Sequence, residues 1–258
     1  MNTLFKRPVV WSIIGTAVLV AVWAISSVAA DDIYYPPLPE VIAGVVEFWF
    51  TGPGAEDLAS SMRNVGLGFI IGAAAAVLLG LVIGQLWWVR TALTPGLEFI
   101  RAIPATALIP FAMVIFGLGD TMKVIIIALG AFFPILLTVI DGARSVSQEA
   151  IDTAKAYQIN GLSRQLRVII PSVLPRAVAG IRIAIPLALI VMVTSEMTGS
   201  SVGIGTVLIE AQDSFNQVSV WAVIVLLGLL GMVLNGLFWL VERRILGWHR
   251  RLHHQEGS

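Results

Sequence analysis

The chain has 258 residues, 57% of them hydrophobic and only 12% charged, with a mean hydropathy of +0.90. A soluble domain is about a quarter charged and less than half apolar, so this chain carries more apolar surface than a water-facing core can hide. Its 16 Lys and Arg against 16 Asp and Glu give no net field to attract nucleic acid, and with Cys 0 there is no disulfide, thiolate metal site or cysteine nucleophile. What remains is an integral membrane protein, an all-α polytopic helix bundle.

About 20 mostly apolar residues cross the hydrocarbon core, and about six spans are expected on that length. The first is Val9 to Ala29, after Lys6 and Arg7. This run also resembles a secretory signal peptide, ending in Val28-Ala29-Ala30, but signal cores are usually about 7–15 residues, which favours a retained helix over residues 1–30. On either reading, residue 31 onward faces outside. Residues 31–63 form an extracytoplasmic connection in which Pro36, Pro37 and Pro39 precede a short apolar piece, Val41 to Phe50. With Glu47, Trp49 and Phe50 that piece is too short to span and reads as a helix lying at the outer interface.

The second span is Val65 to Trp88. The third, Ala102 to Leu118, is interrupted by Pro104 and Pro110, and the fourth is Val124 to Ile140. The fifth runs from Arg176 to about Met197 and carries Arg182 and Pro186; the sixth is Val218 to Val241. The tail, 249–258, is polar, and His249, His253 and His254 read as solvated residues rather than metal ligands.

Charge placement orients the bundle. With both termini cytoplasmic, the inner side holds Lys6, Arg7, Arg90, Arg144, Lys155, Arg164, Arg167, Arg243, Arg244, Arg250 and Arg251. The outer loops keep Arg63 and Lys123 beside Asp31, Asp32, Glu40, Glu47, Glu56 and Asp57. That is the positive-inside asymmetry, and the inverted topology breaks it.

Small residues recur every fourth position in the second span, at Gly68, Gly72, Ala76, Gly80 and Gly84, so one helix face is a groove that admits another backbone. Packing within the chain is the first reading and a subunit interface the second. Prolines 104, 110, 134 and 186 free helical carbonyls that need protein or water partners, a feature of bundles with internal polar space. Charges at membrane depth cost several kcal/mol by most scales. Arg101 can pair with Glu98 three residues before it; Arg182 and Glu196 are candidates for the bundle interior, and Arg176 snorkels to the interface. Arg101, Arg182 and Glu196 are therefore the candidate translocation path. Arg101, Arg182 and Lys123 suit an anion, and an ion pair, snorkelling and an outer-loop cation are their plainer readings.

Asp141 to Pro175 is too polar to cross and too long for a turn. Ser145-Val-Ser-Gln148 has the form of a capping box, predicting a helix from about Val146 to Ile159. Asn160-Gly161 stops it, and Ser163 caps a second short helix ending before Pro171. No G-x-x-x-x-G-K-[ST] sequence occurs, Gly203-Ile-Gly205 reads as a turn, and every histidine lies in the tail, so neither ATP binding by that motif nor a hydrolase triad is expected. An ion-coupled secondary transporter or channel needs intramembrane carboxylates or a repeat; Glu196 alone meets that description.

Asp152-Thr-Ala-Lys-Ala-Tyr-Gln158, followed by Val168-Ile-Ile-Pro171 and Leu174-Pro175, resembles the EAA loop of ABC importer permeases. Asp152 and Thr153 stand where Glu and Ala are usual, and Gln158 where Gly is usual, with Gly161 supplying the turn three residues later. Pro104 to Pro110, Phe116-Gly-Leu-Gly-Asp120, Gly130-Ala-Phe-Phe-Pro134, Ser195-Glu-Met197, Gly203-Ile-Gly205 and Glu242-Arg-Arg244…Trp248 are similar to the nitrate/sulfonate/taurine branch of that family, from about Asn64 to Trp248.

The resemblance implies a permease core over 64–248, with a coupling loop at 141–175, in the cell inner membrane. It implies a homodimer in the lipid bilayer, engaged by a separate cytoplasmic ABC ATPase and an extracytoplasmic substrate-binding protein. ATP and Mg belong to the ATPase, and this chain has no cofactor and no catalytic role of its own. By the same resemblance Asp152, Ala154, Lys155, Tyr157, Gln158 and Gly161 couple to the ATPase, whose closure tilts the short helix and, through Pro171 and Pro175, rocks the fifth span. The branch handles small anions (nitrate, sulfonates, taurine) and some heterocyclic vitamin precursors, and the resemblance implies a small, anionic solute first.

Overall fold

The structure, a computed structural model, describes residues 8–30, 32–50 and 52–247; the tail with His249, His253 and His254, and Lys6, Arg7, Asp31 and Trp248, lie outside the described residues. The described residues form helices joined by short turns, without a strand. In chain order the helices are α1 (Pro8–Ala30), α2 (Leu38–Gly44), α3 (Gly54–Gln85), α4 (Trp87–Arg101), α5 (Ile109–Phe116), α6 (Asp120–Arg144), α7 (Gln148–Ala156), α8 (Gly161–Arg164), α9 (Ile170–Met197), α10 (Ile204–Asp213) and α11 (Gln217–Ile245). Five helices are long and apolar enough to cross a membrane: α1, α3, α6, α11 and the rod Gly161–Met197 that joins α8 to α9.

The third expected span, Ala102 to Leu118, is broken rather than merely kinked. Trp87–Arg101 and Ala105–Phe116 meet at 79°. Pro104 lacks an N–H and pushes Ile103 out of the helical region, so the chain turns there. At 1.5 Å per residue, Ala105–Phe116 is about 18 Å long, short of the hydrocarbon core of about 30 Å. Trp87 and Trp88 belong to α4 and not, as expected, to the end of the second span, because Leu86 adopts φ −101° and ψ 101° and breaks the helix.

The glycine stripe sets the centre of the bundle. Gly68, Gly72, Ala76, Gly80 and Gly84 are all buried, and they pack within the chain, against α6. A Cβ on Gly68 would stand 2.8 Å from Ile127, one on Gly80 2.7 Å from Val139, and one on Gly84 2.5 Å from Ala143. Both numbers in each pair climb together, so α3 and α6 run parallel. On the other flank, Gly130 meets Val191, Ile135 meets Gly180, and Gly142 meets Val173, so α9 runs antiparallel to α6. Small residues bring three backbones close enough for dispersion to hold them without large side chains.

Two apolar clusters fill the spaces beside this trio. The one nearer the start of α3 and α6 holds Trp49, Ile109, Met122, Ile126, Met192, Ile204 and Leu226; the other, towards α7, holds Ala76, Ile135, Leu136, Val139, Val173 and Ala184. Val41, Val45 and Trp49, four residues apart, turn one face of α2 and its π-helical extension Val45–Phe50 into the bundle, and Trp49 is 1% exposed. The opposite face keeps Ile42, Val46 and Phe50 exposed. α1 stands off the core and is fastened at one end: Trp23 lies 5.3 Å from Trp221 of α11, Ser26 and the Tyr35 hydroxyl hydrogen bond at 3.0 Å, and Trp221 Nε1 donates to the Tyr34 carbonyl at 3.0 Å.

Candidate functional site: a hairpin and a buried polar node

The hairpin between α6 and α9 is built by local capping. Ser145 donates its hydroxyl to the Gly142 carbonyl at 2.8 Å and so closes α6. It is Ser147, not Ser145, that caps α7: extended at φ −66° and ψ 143°, it accepts the Ala150 amide at 3.2 Å. The Gln148 side chain turns forward to Asp152 Oδ1 at 3.1 Å instead of back into a capping box. Lys155 reaches the same oxygen at 2.9 Å. These donors, Lys155 first and Gln148 next, hold the Asp152 carboxyl below its ordinary value. Ala154 is buried, while Tyr157 is 79% exposed at the tip.

α7 ends at Ala156, before the expected Ile159, and the turn residue is Gln158. Its φ of +54° is left-handed, a region open to glycine and disfavoured for a residue with a Cβ. Around it, the Gln158 amide donates to Lys155 at 2.8 Å and the Ile159 amide donates to Ala154 at 2.9 Å, the paired bonds that close a helix C-terminus. Gly161 does not supply this turn; it opens α8, whose cap is Asn160, accepting the Ser163 amide at 2.8 Å. Ser163 is therefore the capped residue and not the cap.

The second helix does not end before Pro171 either. A π-helical turn, Gln165–Ile169, carries α8 straight into α9, and this wider turn absorbs the amide that Pro171 lacks. The hairpin and the span are one rod. Gln165 on this turn also exchanges two amide hydrogen bonds with Gln85, at 3.2 and 2.6 Å, tying the rod to the end of α3.

The three charges expected at membrane depth go to three different places. Arg101 pairs with Glu98 on its own helix, both half exposed, and lines a cavity of about 480 Å³ at the α4–α5 break with Pro104, Thr106, Phe133 and Pro134. Arg182, half exposed, pairs across helices with Glu242 of α11, which is 14% exposed. Neither Arg182 nor Glu196 lines the Arg101 cavity.

Glu196 is fully buried at the other end of the bundle. It accepts the Ser61 hydroxyl at 2.8 and 2.9 Å and the Gly205 amide at 2.9 Å. Ser61 in turn accepts the Ile204 amide at 2.9 Å, and Asp57 accepts the Gly203 amide at 2.7 Å. The orphan amides at the start of α10 are thus met by side chains of α3 and α9, with the carboxylate set at the positive end of the helix dipole. Gly203, at φ +140°, leaves no room for a side chain: a Cβ would strike the Glu196 carboxyl group.

Asp57, Ser61, Gln85 and Gln165 were not singled out in the sequence, since short polar residues in a loop-like stretch and lone glutamines carry no pattern of their own. Lys123, expected in an outer loop, lies inside α6 and is 4% exposed. Among the described residues, no group of three or more His, Asp or Glu could hold a metal ion.

Comparison with known proteins bears on what such a bundle does. The aliphatic sulfonates transport permease SsuC of Escherichia coli (strain K12), itself a provisional assignment, is 30% identical over 93% of this chain and 92% of its own length. The taurine transport system permease protein TauC of the same organism is 26% identical over 95% of this chain and 91% of its own. The fold matches a chain from an inward-facing structure of the MetNI methionine ABC transporter with a TM-score of 0.59 at 21% identity, over 80% of this chain and 95% of that one. Residues 68–247 match the family described as "Binding-protein-dependent transport system inner membrane component", and the chain belongs to that family of ABC importer permeases.

Proposed function

We propose that this chain moves a small anionic solute inward across the cell inner membrane, by alternating access driven by ATP hydrolysis on a separate cytoplasmic ATPase. The solute is delivered by an extracytoplasmic binding protein, and two copies of the chain form the translocating unit, with both termini cytoplasmic. The named relatives transport sulfonates and taurine, which supports a sulfonate/nitrate/taurine type of solute. The chain has no catalytic site in this reading; ATP and Mg reside on the partner.

The observation that carries the proposal is the tip of the hairpin. Tyr157, outside the candidate spans, is 79% exposed and Leu162, in the first turn of the rod Gly161–Met197, is 73% exposed, the arrangement of an anchor awaiting a protein groove. Asp152 and Lys155 flank the tip as a polar rim, Ala154 seats the short helix on the bundle, and Gln158 and Gly161 shape the turn. A push on this tip acts on the rod Gly161–Met197 as a lever, because no loop intervenes to absorb it. Arg101, beside a cavity at the broken span, is the residue of the candidate path best placed to meet solute. Arg182 acts through its pair with Glu242, and Glu196 by fixing α10. Because the Glu196 carboxylate takes its hydrogen bonds from the protein's own groups, the importer reading is favoured over an ion-coupled carrier built on that carboxylate.

The test is a mild-detergent purification of the tagged chain with partner identification and native mass. Two permease copies with two copies of a nucleotide-binding subunit are expected. A chain that purifies without any ATPase, under conditions that preserve known importers, would contradict the proposal.

A further inference from the structure

The rod Gly161–Met197 has one weak turn in it. Over Gln165–Ile169 it winds as a π-helix, and π-turns are where long helices bend. Force applied at the hairpin tip reaches this turn before it reaches α9. A rod free to bend here would absorb the push instead of passing it on.

The turn is held from the side by α3. Gln165 is its first residue and Gln85 the last residue of α3, since Leu86 leaves the helix. Gln85 Nε2 donates to Gln165 Oε1 at 3.2 Å, and Gln165 Nε2 donates back to Gln85 Oε1 at 2.6 Å. Gln85 Nε2 also donates to the Leu81 carbonyl of its own helix at 2.9 Å, which orients the amide. The tie is neutral, so salt does not screen it as it screens a surface ion pair. Ile169, at the far end of the turn, is buried in the apolar cluster that also holds Ile83. Deeper in the bundle α6 joins the same two helices: a Cβ on Gly84 would stand 2.5 Å from Ala143, and one on Gly142 3.0 Å from Val173. Val173 lies about two turns farther from the tip than Gln165, so that contact is beyond the weak turn and does not stiffen it.

We propose that Gln85 and Gln165 brace the π-turn, so that a push on the hairpin moves α3, α6 and α9 as one body. Both are positioning residues: they act through the rod and stay paired as the bundle rocks. Without the brace the hairpin still moves, but the turn bends and the far end of α3 stays where it was. The inference rests on the proposed coupling of the hairpins of two copies to a cytoplasmic ATPase. It adds the route by which that movement reaches a helix outside the hairpin.

The experiment uses the complex with its ATPase in lipid nanodiscs, spin-labelled at one of two exposed positions in separate samples. The chain has no cysteine of its own, so Glu149→Cys labels the hairpin and Ala59→Cys the end of α3 opposite Gln85. Each label reports one distance between the two copies. Both distances are expected to change when ATP and vanadate are added. In Gln85→Leu the hairpin change should be kept and the α3 change lost. Gln85→Glu/Gln165→Lys, which pairs across the same gap, should restore the α3 change. An α3 change that survives Gln85→Leu, that the charged pair does not restore, or that is absent from an unaltered complex whose hairpins move would overturn the brace. So would equal loss of both changes in Gln85→Leu, the mark of a chain that is only destabilised. Hairpins that do not move with nucleotide in the unaltered complex would count against the coupling reading itself, and the brace with it.

Discussion

Ser61 of α3 donates its hydroxyl to the Glu196 carboxylate of α9 at 2.8 Å while accepting the Ile204 amide of α10 at 2.9 Å, so one small side chain joins three helices. Both Ser61 and Glu196 are fully buried. Ser61→Ala removes a donor from a buried carboxylate and leaves a buried amide without its acceptor, each costing about 1–3 kcal/mol. Thermal unfolding in detergent should show a clear fall in Tm for Ser61→Ala. Gly203→Ala should fall too, since its Cβ enters the Glu196 carboxyl at a φ that L-residues avoid. An unchanged Tm in either variant would mean that the node is not structural.

Two glycines of α3 separate packing from helix propensity. A Cβ on Gly72 would strike the Ala128 carbonyl oxygen, a backbone atom that cannot swing aside, whereas Gly66 has nothing within 4 Å. Gly72→Ala is expected to destabilise by about 1–3 kcal/mol. Gly66→Ala should be neutral or stabilise by up to about 1 kcal/mol. Equal Tm values for the two variants would contradict the close α3–α6 approach.

Gln158 holds a left-handed backbone, φ +54°, a region that glycine enters without steric cost. A Cβ there costs about 1–2 kcal/mol, offset in part by the lower entropy of the unfolded chain. Gln158→Gly should therefore tighten the turn by about 1 kcal/mol or less. Slower hydrogen exchange at the Ile159 amide, which bonds back to Ala154, is the expected signal; faster exchange would contradict it.

Asp152 supplies a pH dependence local to the hairpin. Lys155 and then Gln148 lower its carboxyl pKa in the folded chain. A depressed acid contributes stability above its unfolded value, about 3.9, and loses that contribution as pH falls through the folded value. A carboxyl-carbon titration of Asp152 should give a midpoint below about 3.9, moving up in Lys155→Met. A midpoint at or above the ordinary value in the unaltered chain would show that the Lys155 contact does not persist in solution.

What could be read from the chain and what could not divide along physical lines. The stripe of five small residues at four-residue intervals from Gly68 to Gly84 is a one-helix property, and it marks the face that meets α6 directly. The Arg101–Glu98 pair is equally local, three residues apart. The α4–α5 break was hidden because Pro104 and Pro110 signal a disturbance without its angle, and 79° is set by how α5 packs on α6. Ser145 and Ser147 are both competent caps, and which of them caps depends on where α6 ends. Lys123 looked like a loop cation until α6 was seen to begin at Asp120, one turn early. Glu196 gave no hint of its partners, because Ser61 lies 135 residues away.

The central claim is that the hairpin tip transmits ATPase closure to α9. Its most direct measurement is ATP-driven solute uptake by the reconstituted complex carrying Gln158→Pro, a residue that cannot adopt φ +54° and so deforms the turn between α7 and α8. The account predicts that uptake is lost while membrane insertion and the Tm of the bundle are kept. Uptake at the level of the unaltered complex would contradict it.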